Sequence, residues 1–293
     1  MSIAVATPAS DENVLHEELR KLNEARLRPE LDTRSWRASL EKETEQRLLE
    51  DEFLESARCE IAARAAAAPT HRDGFLAWFE DLRATGPGQG DPLFPYLERE
   101  ATLDELRWFL RQEVAGEAGF DDLVALTQLR MPDRAKLELA RNYWDEMGRG
   151  MHSAMHGPML SRLADALGID QQAEVVAEAV ALGNLLAGLA YNRRYAFHAV
   201  GALGVVELTA PDRSRMVNLG LKRLGVPARD RQYYALHATV DLRHSLTWNR
   251  EVIGPLVAER PEVAVAIAEG ALMRLRAGEK CFIRYRRELE VAA

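Results

Sequence analysis

Apolar residues recur along most of the chain at spacings of three and four, the period that lines one face of an α-helix. Leu15, Leu19 and Leu22 open the pattern, and Trp36 to Ala68 extends it through Ile61. The steps Arg28-Pro29 and Ala68-Pro69 interrupt it, because proline lacks an N–H and pushes the residue before it out of helical geometry. Thr70 to Leu82 predicts a short helix carrying Phe75, Trp78 and Phe79. Ala84 to Pro95, ATGPGQGDPLFP, holds three Pro and three Gly in twelve residues and predicts a long loop.

Beyond that loop, Thr102 followed by Glu105 forms a capping-box pattern and opens a helix running to Glu117. Further helices are expected over Asp133–Met155, Gln171–Tyr191, Arg194–Leu208, Asp212–Leu224, Ala228–Ala258 and Pro261–Leu289. No run of strict alternation is bounded by turn residues on both sides, so the pattern predicts an all-α bundle of roughly nine to eleven helices. The loop either divides it into a tail and helical arm over residues 1–90 and a main bundle over 91–293, the division expected here, or lies within one domain. The arm is a candidate dimerisation element.

Composition narrows the function. A chain of 293 residues with 47% hydrophobic content can bury one large core. Its net charge of −8 argues against a nucleic-acid partner, which needs a basic surface. Cys59 and Cys281 lie far apart and form neither a disulfide framework nor a zinc ribbon. The N-terminus lacks the basic and long apolar segments of a secretory signal, and Val175 to Tyr191, the most apolar run, contains Glu178. A cytoplasmic protein without a membrane span is expected.

The chemistry-bearing stretch is His237 to Trp248, HATVDLRHSLTW, which puts His237, Asp241 and His244 at i, i+4 and i+7 on one helical face. Two imidazoles and a carboxylate so placed suit a metal with nitrogen and oxygen ligands, iron or manganese before zinc; a solvated polar face, or core histidines bonded to backbone, fits the spacing as well. In NYWDEMGRGMHSAMHGPML, Gly148, Gly150 and Pro158 favour a bend that aims Glu146 and His156 at one point. Glu207 follows the apolar run GALGVV, where it is either paired and buried or already in water at a helix end. Glu113 and Glu117 lie one turn apart, facing inward or outward.

In that order, Glu117, then DEMGRG with Glu146, then His156 ten residues on, then Glu207, then HATVDLRH, the chain resembles the haem-oxygenase-like diiron oxidases and oxygenases, the iron-containing redox enzymes. The resemblance runs from about residue 100 to 289. It implies a haem-oxygenase-like helical bundle with an N-terminal extension, and ligation of two iron ions by Glu117, Glu146, His156, Glu207, His237, Asp241 and His244, with Glu113 as an alternate. Four carboxylates would balance two divalent cations, whereas bare they would repel one another. The resemblance further implies O2 as cosubstrate and oxidation of an amino-acid-like, amine or fatty-acid-like molecule by N-oxygenation or carbon–carbon cleavage, with an external electron donor as a further partner. A ferritin-like fold would want two Glu-x-x-His motifs, and the chain has only Asp241 to His244 at that spacing.

Tyr233 and Tyr234, one turn before His237, are candidates to line a substrate cavity or to pack in the core. Arg284, like Arg193, Arg194 and Arg286, could grip a carboxylate or remain at the surface. Two rival readings stand beside the diiron one: a metal-free enzyme of the same fold, an oxidase or thiamin-compound hydrolase, and a non-enzymatic helical interaction protein.

Overall fold

The computed structural model describes residues 9–29, 36–117, 119–170 and 173–292, with only the backbone described for 9–12 and Glu117. No strand occurs among the described residues, and the architecture is all-α. Two long helices, α1 (Ala9–Leu27) and α2 (Trp36–Ala66), come first, followed by α3 (Arg72–Thr85), α4 (Leu93–Arg99), α5 (Leu103–Glu117) and α6 (Phe120–Thr127). The second half holds α7 (Asp133–Glu146), α8 (His156–Ala166), α9 (Ala177–Tyr191), α10 (Ala196–Arg223), α11 (Gln232–Thr247), α12 (Gly254–Glu259) and α13 (Val263–Glu288).

The capping box forms as its sequence predicts: Thr102 Oγ1 accepts from the Glu105 N–H at 3.3 Å, and Glu105 Oε2 accepts from the Thr102 N–H at 2.7 Å. Elsewhere the boundaries move. The loop ends early, because Leu93, Phe94 and Leu97 are buried and draw 93–99 into a helix. The two segments expected on either side of Pro211 are one helix, α10, with Pro211 inside it. Burial on nearly every side from Ala199 to Thr209 holds α10 through a residue that would end an isolated helix. The 228–258 segment divides instead: α11 passes into a π-helical turn, Trp248–Ile253, before α12.

The centre of the bundle is α10, packed chiefly on α13 and α11. Glycine permits the closest approach, since a Cβ on Gly201 would lie 1.9 Å from the Ile267 carbonyl and one on Gly270 equally close to that of His198. Contacts advance the same way along both helices, His198 with Gly270 and Arg213 with Phe282, so α10 and α13 run parallel. A Cβ on Gly204 would meet the Trp248 indole, whose Nε1–H donates to the Val200 carbonyl at 3.2 Å. Trp248, filling that space, fixes the end of α11 against α10.

A buried polar seam ties the first two helices to the bundle. Asn23 donates to Asn184 Oδ1 at 2.9 Å, Asn184 donates to the His16 carbonyl at 2.8 Å, and Arg26 pairs with Glu50 at 2.6 Å. No helix among the described residues is long and apolar enough to cross a membrane.

Candidate metal centre

Four helices converge on one buried cluster. Glu146 is the last residue of α7, and a helix expected to run on to Met155 stops there. Gly148, Arg149 and Gly150 take φ of +59°, +54° and +83°, and two short 3₁₀ turns carry the chain to His156 at the start of α8. Such left-handed geometry favours glycine. At Gly148 a Cβ would also lie 2.4 Å from the backbone of Ala154. This break replaces the bent helix expected from the sequence and sets His156 Nδ1 2.6 Å from Glu146 Oε2.

Glu207 does not end its helix in water; it sits mid-α10 at 2% exposure, with Asn142 donating to its Oε1 at 2.7 Å. From α11, Asp241 and His244 are buried, and His237 Nδ1 lies 2.8 Å from the Tyr233 carbonyl. Potential donor atoms of Glu146, His156 and His237 all lie within 4.8 Å of one another, and so do those of Glu146, Glu207 and His244. Glu146 belongs to both groups.

The hydrogen bonds assign the imidazole tautomers. A carbonyl only accepts, so His237 carries its proton on Nδ1 and offers the Nε2 lone pair. His244 Nε2 lies 3.1 Å from Asp145 Oδ2 and donates to that carboxylate, which turns Nδ1 toward Glu207 Oε2 at 3.4 Å. Backbone carbonyls and carboxylates are the partners that fix metal-binding histidines.

Neither His156 Nδ1 nor His244 Nδ1 makes a hydrogen bond, although both are buried with a carboxylate oxygen close by. Donor atoms that converge in this way are placed as ligands of a common cation are. Electrostatics agree: burial pushes the His244 imidazole down, but Glu207, Asp145 and Glu146 reverse this and raise it to about 9. The cluster thus demands positive charge, and its carboxylate–imidazole donors suit iron. The residues fit a metal centre.

The cluster opens into a cavity of about 340 Å³, within the range of small-molecule sites. Glu146, His156, Glu207, His237 and Asp241 face it, as do Tyr233, Tyr234 and the half-buried Glu113. The side chain of Glu117 lies outside the described residues, and its backbone ends α5 beside this cavity's Gly116. Arg284 lines a second, separate cavity and pairs with Glu288 at 3.0 Å. Arg193 caps carbonyls at Leu126 and Leu129, and Arg286 pairs with Asp91. Sequence reasoning assigned no role to Asn142, Arg213 or Arg274. Asn142, one turn before Glu146 on the same face, carried the only local signal.

Fold and cluster together define an α-helical protein with a buried carboxylate–histidine centre beside a small-molecule cavity. The profile of the family described as iron-containing redox enzymes matches residues 107–279, a span containing every clustered residue, and the chain belongs to that family. Among solved structures, a domain of unknown function with a haem-oxygenase-like fold from Shewanella denitrificans is similar at a TM-score of 0.54 and 13% identity, covering 74% of this chain and 90% of that one. That likeness shows the haem-oxygenase-like fold. No curated protein matches the chain.

Proposed function

We propose that the protein is a non-haem diiron enzyme that uses O2 to oxidise a small molecule held in the 340 Å³ cavity. The observation that carries this reading is the sharing of Glu146 between two three-residue donor groups. One shared carboxylate between two groups is the arrangement a pair of cations needs, and a single cation would leave one group unused.

In this reading Glu146, His156 and His237 hold one iron, and Glu146, Glu207 and His244 hold the other. Asp241 lies between the two histidines of α11, and Glu117, or Glu113 one turn earlier, adds a carboxylate from α5. Bound iron would supply the electrons for O2 chemistry. The chain's own residues set the geometry. Tyr233 and Asp145 hold the protons on His237 Nδ1 and His244 Nε2, so both rings keep their other nitrogen turned inward. Asn142 fixes Glu207 Oε1 and leaves Oε2 toward His244. Phe94, Phe109, Leu182 and Phe282 line the cavity and keep bulk water from a bound substrate.

The test is an anaerobic Fe(II) titration of the full-length protein, with iron counted after dialysis, followed by mixing with O2 in an oxygen electrode. Binding of about two iron per chain with O2 uptake supports the reading. Protein that binds no iron, or binds it and consumes no O2, refutes it.

A further inference from the structure

One buried charge in the cavity wall belongs to none of the groups that face the proposed iron. Arg274, on α13, is 6% exposed, and its Nε is fully buried without a hydrogen-bond partner. Among the described residues no carboxylate forms an ion pair with it. Arg26, buried to a similar degree, shows the usual solution: it pairs with Glu50 at 2.6 Å and lies over the Tyr191 ring at 4.1 Å. A guanidinium whose Nε is buried without a partner, in a cavity wall, is completed when an anion binds it.

The surroundings are shaped for such an anion. Gly278, one turn along α13, leaves room for the guanidinium, since a Cβ there would stand 2.7 Å from Arg274 Nη1. Cys281, Phe282 and Tyr285 continue the same face of α13 as cavity wall. Across from them on α10, the Arg213 guanidinium lies 5.4 Å from the Phe282 ring centre and 5.8 Å from that of Phe94, and donates to Thr209 Oγ1 at 2.7 Å. The cavity therefore combines an unspent positive charge with aromatic and aliphatic walls.

We propose that Arg274 is the specificity-determining residue of the cavity, binding the carboxylate of a small acid whose apolar body lies against Phe94, Phe109 and Phe282. A carboxylate matches the guanidinium fork through two parallel hydrogen bonds, which a neutral amide of the same shape cannot reproduce with charge. The proposal rests on the reading of this cavity as the substrate chamber, and deepens it.

The test is calorimetric binding of octanoate and of octanamide, equal in shape but different in charge, to full-length protein before and after anaerobic Fe(II) loading. In both states octanoate is expected to bind about 10- to 100-fold more tightly than the amide. Arg274→Met is expected to erase that preference and Arg274→Lys to keep part of it. Gly278→Ala, which displaces the guanidinium, weakens octanoate several-fold and leaves octanamide unchanged. Equal binding of acid and amide by the wild type, no binding of either, or an undiminished preference in the folded Arg274→Met and Gly278→Ala proteins overturns the proposal. If iron fails to bind while the Arg274-dependent preference persists, the diiron reading alone falls; if iron binds and the preference is absent, the role of Arg274 alone falls.

Discussion

Replacing Glu146 by glutamine keeps the shape of the side chain and removes its charge from both donor groups at once. In the metal-free protein two charge effects oppose one another, while the 2.6 Å contact to His156 Nδ1 keeps an oxygen partner in the glutamine. The repulsion between Glu146 and Glu207, whose donor atoms lie within 4.8 Å, is about 3 kcal/mol at an effective dielectric constant of 20. Attraction between Glu146 and a protonated His244, in the same group and therefore at a similar distance, is about the same size and opposite in sign. The two nearly cancel, so Glu146→Gln should change the stability of the metal-free fold by about 1 kcal/mol or less. A glutamate serving only as half of a buried ion pair would cost about 3–5 kcal/mol on removal. Added Fe(II) reverses the comparison: wild-type protein at free iron one hundred times its Kd gains about 2.7 kcal/mol per site, while Glu146→Gln gains nothing. The assay is urea unfolding followed by circular dichroism under anaerobic conditions, with and without Fe(II), together with an iron count. His237→Ala and His244→Ala should each lose one iron and keep the other, because each belongs to one group only. Glu146→Gln that retains half of the iron, or that unfolds in the absence of metal, would sink the argument for a shared ligand.

Asp145→Asn removes the carboxylate that orients His244 and should weaken metal binding at that histidine about 10- to 100-fold, read by Fe(II) titration; unchanged affinity would mean that the 3.1 Å contact does not position the ring. Burial pushes the Cys281 thiol up to about 12, whereas Cys59 is exposed, so a thiol reagent should modify Cys59 alone in the native protein and both cysteines after unfolding. Burial also pushes the His198 imidazole below its ordinary value, against the raising effect of Glu269 at 2.9 Å. A base depressed in this way binds fewer protons folded than unfolded. Its contribution to stability is therefore full above about pH 6.5 and is lost as pH falls through the folded value. His198→Gln should accordingly show a shallower fall of Tm with acidification than the wild type, and parallel curves would remove His198 as the cause.

The features legible in the sequence were those with local periodicity. His237, Asp241 and His244 are a spacing pattern on one helix, and the helix forms there. The proximity of Glu146 and His156 was expected from Gly148 and Gly150 breaking the chain, though it arises through left-handed turns and not a bent helix. Glu207 was ambiguous because Pro211 reads as a helix end, and only the packing of α10 on α13 and α11 carries the helix past it. The short α6 escaped notice, since FDDLVALT is too brief to show a period. Arg274 and Asn142 were illegible for another reason: a single polar residue in a helix is ordinary, and its burial beside a cavity depends on helices far away in the chain. Arg284 illustrates the converse, a plausible residue on α13 that faces a different cavity.

The glycine contacts between α10 and α13 also bear on how the substrate range of this fold can change. Where Gly201 and Gly270 meet a facing backbone, two helices are already as close as their main chains allow, and no side-chain truncation can bring them nearer. Any side chain added there would drive them apart and, with them, Glu207 on one helix and Arg274 on the other. On these two helices, adaptation to a larger or smaller substrate is left to removable bulk further along them, at positions such as Val217 and Phe282. The pivot is closed to variation, while the chamber beyond it remains adjustable one side chain at a time.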